Sequence, residues 1–477
     1  MAKGGIMKII GRESEQNLLW KLRNSKKPEF LVVYGRRRVG KTYLIREYFN
    51  NNFSFYTTGV SDKLMVDQLR AFNDSLIDAG SNQKKLPTDW FEAFSRLREL
   101  INSGQLKRDP VSNKLIIFID ELPWLDTPKS NFKSALDYFW NKYGSAKEDL
   151  LLIVCGSSTS WILSNFLSST GGFYNRITAQ IHLAPFSLKE CELFLSDNGF
   201  ELSKRNVIET YMVFGGIPFY LNLLERGQSL SQNIYYLIFN ENGQLHNEFE
   251  LLFKSLFKHA DIHREIIIKL AKSKNGVLRT ELAKSKKIGD GKPLTTALKE
   301  LEECGFIRKY KNYTKDKSGY VYQLIDPFTL FYIRFMINKE FNSWTKYFDT
   351  PGYYSWLGNS FEIVCLNHVE EIKYVLGISG VDCSIFSWIS KNKDVQIDLI
   401  IDRKDDIINV CEMKFTKDEY VIDNKYEKEL INKMRIFKEE TKTKKQLNFV
   451  FISLNGLKRN EYSDIIINVI NGDKLFI

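Results

Sequence analysis

One eight-residue stretch constrains this chain more than any other. Phe30–Tyr34 is a short apolar run, Gly35-Arg36-Arg37-Arg38-Val39-Gly40-Lys41-Thr42 comes directly after it, and Tyr43–Phe49 carries a helical pattern. Strand, glycine-rich turn, Lys-Thr and helix in that order make a phosphate cradle. The glycines let backbone N–H groups close round an anion, and the helix N-terminus faces it. Lys41 can reach the β and γ oxygens of a nucleotide, and the Thr42 hydroxyl can ligate magnesium. All eight residues, Gly35 to Thr42, are therefore candidate nucleotide contacts.

A second apolar run, Lys114–Ile119, ends in Asp120-Glu121. At such a strand end Asp120 holds the magnesium ion through water, and Glu121 orients and polarises the attacking water. ATP with Mg²⁺ and hydrolysis, not binding alone, are the expectation. A third run, Leu150–Cys155, leads into Gly156-Ser157-Ser158, where we assign Ser158 as the residue sensing the γ-phosphate. Arg176 follows Gly171-Gly172-Phe173-Tyr174-Asn175 and precedes an apolar stretch. It is a candidate to reach the γ-phosphate of a neighbouring subunit, which would require a homo-oligomer; the alternative is an ordinary surface arginine.

Gly35–Thr42, Asp120-Glu121, Cys155-Gly156-Ser157-Ser158, Arg176 and Gly215-Gly216-Ile217-Pro218 together resemble the archaeal-type ATPase family within the AAA+ and STAND-like P-loop proteins. Ile10-Gly11-Arg12-Glu13, ahead of an amphipathic helix, looks like that family's opening segment near the adenine. The resemblance implies an α/β sheet domain over 1–185 and a helical lid over 186–258, with the Gly-Gly-Ile-Pro turn coupling nucleotide state to the downstream segments.

From Asp261 the pattern changes to three short amphipathic helices, Ile262–Ala271, Arg279–Lys284 and Pro293–Cys304, then Gly305-Phe306-Ile307-Arg308 and a strand-like Tyr320–Ile325. That is the order of an all-α-rich winged helix, placed at 259–325. If it reads DNA, Lys292, Thr295, Thr296 and Lys299 are the groove contacts, with Lys309 and Lys311 on the wing. The alternative is a module that only couples domains.

The last segment, 326–477, carries a different chemistry. Trp356–Glu362 reads as the start of a helix, with Glu362 in its first turn. A strand holding Asp398, a polar turn Arg403–Asp406 and a strand Ile407–Phe415 read as a β-hairpin. Centring the turn sets Asp398 nearly opposite Glu412, and the two-residue strand period puts Glu412 and Lys414 on one face. Glu362, Asp398 and Glu412 are candidate metal ligands, and Lys414 can position the water that attacks a phosphodiester. Asp398 with Glu412-Met413-Lys414, followed by a helix Lys425–Lys438, resembles the PD-(D/E)XK nuclease core. The segment from Asp326-Pro327-Phe328 onward looks like the nuclease-like domain commonly fused behind archaeal-type ATPases. It implies an α/β restriction-endonuclease-like fold, and a degenerate fold kept for binding is the alternative.

Composition narrows the setting. At 477 residues the chain needs several cores. It has no apolar run long enough for a bilayer and nothing like a secretory signal in Met1–Ile10, so a cytoplasmic location is expected, with no membrane partner. Cys155, Cys191, Cys304, Cys365, Cys383 and Cys411 lack paired spacing, which argues for reduced thiols. His259 and His263 share a helix face but lack the glutamate of a metalloprotease motif, so zinc is not expected. A net charge of +10 favours an anionic partner, with DNA the expectation. The combined reading is an ATPase whose nucleotide state gates a magnesium-dependent nuclease; the alternative is a STAND-type switch with an inactive nuclease fold.

Overall fold

The computed structural model describes residues 9–167, 173, 175–257, 260–274, 276–311, 313, 320–337, 344–392 and 394–477. Gly171, Gly172, Tyr174 and His259 lie outside them. Two compact units divide the chain, Met1–Ala184 and Pro185–Ile477. Among the described residues no helix is long and apolar enough to cross a membrane.

In the first unit five strands, β1 (Glu29–Tyr34), β2 (Phe55–Thr58), β3 (Leu115–Asp120), β4 (Leu150–Gly156) and β5 (Ala179–His182), form a parallel sheet in the order β2-β3-β4-β1-β5. Every residue of β3 and β4 is buried, as expected of parallel strands covered on both faces. On one face Phe30, Ile117 and Leu152 pack with Phe72, Trp90, Phe94, Phe132 and Trp140 from the helices Met65–Asp78, Trp90–Asn102 and Phe132–Lys142. The helix Trp90–Asn102 starts where Asp89 accepts from the Glu92 amide. Away from the apolar core, Arg23 grips Asp109 with two hydrogen bonds of 2.8 and 2.5 Å, tying the first helix to the segment before β3.

The second unit opens with the helices Leu188–Asp197, Lys204–Phe214, Pro218–Leu221, Leu230–Ile234 and Glu248–Leu256. Gly215 adopts φ 63°, and a Cβ on Gly216 would stand 1.9 Å from the Phe186 carbonyl oxygen, so glycine is required at both. Pro218 then takes the first helical turn, where its missing N–H costs nothing. Packing does not break at residue 326. The helix Pro327–Tyr332 sets Phe328 against Tyr220 at 4.7 Å and stacks Tyr332 on Phe249, while Trp344 Nε1 donates to Ser231 Oγ at 2.7 Å. Buried His368 accepts from the Leu188 amide at Nε2 and donates from Nδ1 to the Val364 carbonyl, which fixes one neutral tautomer; burial pushes its pKa down to about 4.

Next come the helix Ala260–Ala271, β6 (Val277–Leu278), the helices Arg279–Ala283 and Lys292–Glu303, β7 (Ile307–Lys311) and β8 (Tyr320–Leu324), with an antiparallel sheet ordered β6-β8-β7. The remainder holds the helix Pro351–Asn367, β9 (Cys383–Ile389), β10 (Gln396–Arg403), β11 (Ile407–Lys414), β12 (Tyr420–Val421), the helix Asn424–Thr441, β13 (Gln446–Ser453), β14 (Leu457–Lys458) and β15 (Ile466–Asn471). Its sheet runs β15-β13-β11-β10-β9, antiparallel from β9 to β11 and parallel from β11 to β15. The helix Asn424–Thr441 makes the crossover between parallel β11 and β13, and buries Leu430 and Phe437 against the sheet core of Trp388, Ile397 and Phe451.

Removing Arg23 leaves Asp109, 2% exposed, as an unpaired buried carboxylate. Arg23→Ala is expected to lower the first unit's stability by about 3 kcal/mol in thermal unfolding at neutral pH. Burial opposes ionisation of Asp109, but Arg23 and Ser112 hold it below its ordinary value. The wild-type contribution is thus present above that ordinary value and lost as pH falls through the folded one, so the two proteins converge in acid.

Candidate nucleotide site and a second carboxylate cluster

Local backbone conformation builds the phosphate loop. Gly35 has φ 149°, and a Cβ there would meet the Leu183 carbonyl oxygen at 2.3 Å. Arg38 and Gly40 take φ 72° and 92°, turning the loop into the helix Lys41–Tyr48. Val39 anchors it in the core, Arg36 is buried, and Arg37 is exposed. The Lys41 ammonium donates to the carbonyls of Gly35 and Arg36, 2.9 Å each, partners it can exchange for phosphate oxygens.

Thr42 Oγ donates to Asp120 Oδ2 at 2.7 Å. A Thr42 hydroxyl that donates to Asp120 keeps its lone pairs for a cation, and Asp120 could hold that cation through water, so the pair fits magnesium's preference for hard oxygens. Glu121 takes φ 44°, an uncommon conformation for a residue with a Cβ. Its carbonyl oxygen would stand 2.5 Å from a Cβ on Gly59, and its side chain accepts from Ser157 through Oγ at 2.8 Å and N at 3.3 Å. Ser157 is the serine that hydrogen-bonds Glu121, beside Ser158, the residue expected to sense the γ-phosphate. The chain turns after β4, so successive side chains diverge, and Ser158 only precedes the helix Thr159–Ile162 without capping it by its side chain. Arg176 donates to Asp137 on the helix Phe132–Lys142, an engagement that a reach toward another subunit would have to break.

In the second unit the hairpin register sets Leu399 opposite Cys411, which carries Asp398 to the position facing Glu412. The helix bearing Glu362 begins at Pro351, where Thr350 caps the Tyr353 amide, so Glu362 lies well past the first turn in which it was expected. Each carboxylate has its own partners. Lys274 Nζ is 2.8 Å from Glu362 Oε1, and Gln396 donates to Asp398. Glu412 receives Lys433 at 2.6 Å, Tyr426 at 2.7 Å and Lys414 at 3.1 Å. Burial and then Asp398 push Glu362 up to about 8 against the pull of Lys274, and burial raises Asp398 above its ordinary value as well. Burial opposes the charge on Glu412, yet Lys433 and Lys414 hold it down at about 2.

Among the described residues no group of three or more His, Cys, Asp or Glu is arranged to hold a metal ion. Glu362, Asp398 and Glu412 were expected to converge on one; instead lysine ammoniums stand among them. Lys433 and Tyr426 were readable, since they share the sheet-facing side of their helix with buried Leu430 and Phe437. Lys274 gives no such signal, because it lies in a turn before β6. His263 meets Glu300 at 2.7 Å and stacks on Phe257, a structural placement. On the helix Lys292–Glu303 the side chains of Lys292, Thr295, Thr296 and Lys299 are exposed while Leu294, Ala297, Leu298 and Leu301 are buried. Lys309 and Lys311 sit 4.0 and 5.5 Å from the Tyr320 ring centre.

Residues 10–224 match a family described as an ATPase domain predominantly from Archaea. An uncharacterized protein of Methanocaldococcus jannaschii is 25% identical over 398 residues, covering 82% of this chain and 83% of that protein. An uncharacterized ATP-binding protein of the same organism is 40% identical over 47 residues, 10% of this chain and 80% of that protein. Among solved structures, a Walker-type ATPase of Pyrococcus abyssi aligns with TM-score 0.48 and 18% identity, over 69% of this chain and 96% of that one.

Glu121→Gln is expected to keep nucleotide binding and lower the hydrolysis rate by about 10²-fold or more. Ser157→Ala should slow steady-state hydrolysis, whereas Ser158→Ala should leave it near wild type; the reverse ranking would restore Ser158 as the sensing residue.

Proposed function

With residues 10–224 an ATPase domain of this predominantly archaeal family, we propose that the chain binds ATP with magnesium between Gly35–Thr42 and Asp120, and that Glu121 directs the hydrolysis. The observation that carries this is the Thr42–Asp120 hydrogen bond beside a glutamate held by Ser157. Magnesium at Thr42 and Asp120 would neutralise the phosphate charge that develops during transfer. Lys41 leaves its loop carbonyls for the phosphate oxygens. Glu121, released from Ser157, orients the attacking water and takes its proton. In an assembly of several copies, Arg176 is the residue to exchange Asp137 for a neighbour's γ-phosphate.

We read Ala260–Leu324 as a winged helix and the segment behind it as a nuclease-like fold acting on DNA under control of the nucleotide. The exposed Lys292, Thr295, Thr296 and Lys299, above a buried apolar face, support a nucleic-acid contact. Asp398 facing Glu412 across a hairpin, with the crossover helix behind, supports the nuclease-like reading. The three carboxylates as placed do not fit a divalent ion, so no cleavage step is routed through one. That same charge compensation favours a second reading, in which the fold grips a partner without cutting it and ATP state controls assembly.

Cleavage of plasmid and single-stranded DNA with Mg²⁺ or Mn²⁺, with and without ATP, separates the two. Cutting that Glu412→Ala abolishes and Lys41→Ala alters would select the nuclease. Absence of cutting by a preparation with full ATPase activity would select the binding switch.

A further inference from the structure

Most of the chain's excess charge lies in one short stretch. Residues 260–324 hold twelve lysines and three arginines against eight acids, an excess of seven in a chain whose total is +10. The three arginines are engaged within the fold. Arg264 meets Glu250 at 2.6 Å, Arg279 meets Asp290 at 2.8 Å, and Arg308 is buried, donating to Gln323 and Ser387. Among the described residues of this stretch the exposed cations are therefore lysines.

Base sequence is read in the major groove chiefly by a guanidinium fork or a carboxamide set against two atoms of one base edge. The helix Lys292–Glu303 carries no Arg, Asn or Gln. The Thr295 hydroxyl is taken up locally, accepting from Arg279 at 3.2 Å and donating to the Gly291 carbonyl at 3.1 Å. Thr296 is left between Lys292 and Lys299, and a lysine ammonium is a flexible point charge that suits a phosphate. The β7–β8 ribbon is better built for that contact. Arg308 and Tyr310 turn toward Ser387 on β9, so the alternate residues Lys309 and Lys311 point the other way and are exposed. Tyr320, 42% exposed, stands opposite Lys311 in the register, and both ammoniums lie over its ring, 4.0 and 5.5 Å from the centre. The ring face attracts both charges and narrows the range over which the two long side chains wander. Acids stand beside two of these cations, Glu303 at 3.6 Å from Lys299 and Glu302 near Lys309, which weakens each contact without adding a sequence preference.

We propose that this module grips duplex DNA by its phosphates irrespective of base sequence, with Lys309 and Lys311 on the Tyr320 ring as the principal contact and Lys292 and Lys299 as the second. Tyr320 is a positioning residue, acting through the two lysines. The inference rests on reading 260–324 as a nucleic-acid-binding winged helix.

Fluorescence anisotropy of the full chain on a labelled duplex with a randomised core, in EDTA without nucleotide and over a series of salt concentrations, tests it. Lys309→Gln and Lys311→Gln are each expected to weaken binding and to lower the slope of log affinity against log salt by about one. Thr296→Ala should change neither, and Tyr320→Ala should weaken binding while Tyr320→Phe restores it. Repeated selection of bound duplexes from the same pool should enrich no motif. An enriched motif, or a slope that both lysine variants leave unchanged, overturns the sequence-blind grip while the DNA-binding reading stands. If a preparation with full ATPase activity binds no duplex, the grip and that reading fall together.

Discussion

Parallel pairing in the first sheet sets the constraint on which its chemistry depends: the strands bearing the phosphate loop and the acidic pair are not neighbours. β4 lies between β1 and β3, so Thr42 and Asp120 must meet above the end of a third strand. They can because β4 ends in Gly156, where a Cβ would stand 2.8 Å from the Pro123 ring. A side chain there would force Pro123, and with it the residues just after Asp120, away from the loop. The next residue of β4's exit, Ser157, then rises between the two halves and takes Glu121. One strand end thus supplies both the clearance and the hydrogen bond.

The second unit relies on compensation of charge. Glu412 is partly buried beside apolar strands, an environment that would disfavour the charge of a lone carboxylate, and two lysines and a tyrosine keep it ionised instead. Glu362 has one lysine, shares its neighbourhood with Asp398, and is pushed the opposite way. Carboxylates in one cluster, with opposed proton affinities, are set apart by which elements bring lysines to them.

How much could be read in the chain beforehand depends on how local each signal is. The phosphate loop needs only successive residues, and its strand and helix fall where the apolar pattern puts them. The hairpin is legible too, since centring the turn comes within one residue of the observed register, which carries Asp398 to face Glu412. The choice between Ser157 and Ser158 is not legible in the same way, because strand alternation stops at Gly156 and gives no rule for the turn after it. Glu362 was placed too early because Thr350-Pro351, a good helix start, lies within an aromatic stretch that hid the boundary. Lys274 was out of reach altogether, its role set by tertiary contacts with residues far away in sequence.

The aromatic packing that ignores residue 326 bears on how such a chain can be put together over time. Phe328 and Tyr332 lie against Tyr220 and Phe249, and Trp344 holds Ser231, so helices on both sides of the middle module share one interior. Recombination at residue 326 would swap half of that interior for a stranger's, leaving flat rings facing water on both products. Exchange at Ala184–Pro185 would carry Pro185–Ile477 over intact. A splice that keeps these rings covered has to carry both flanks of the middle module together.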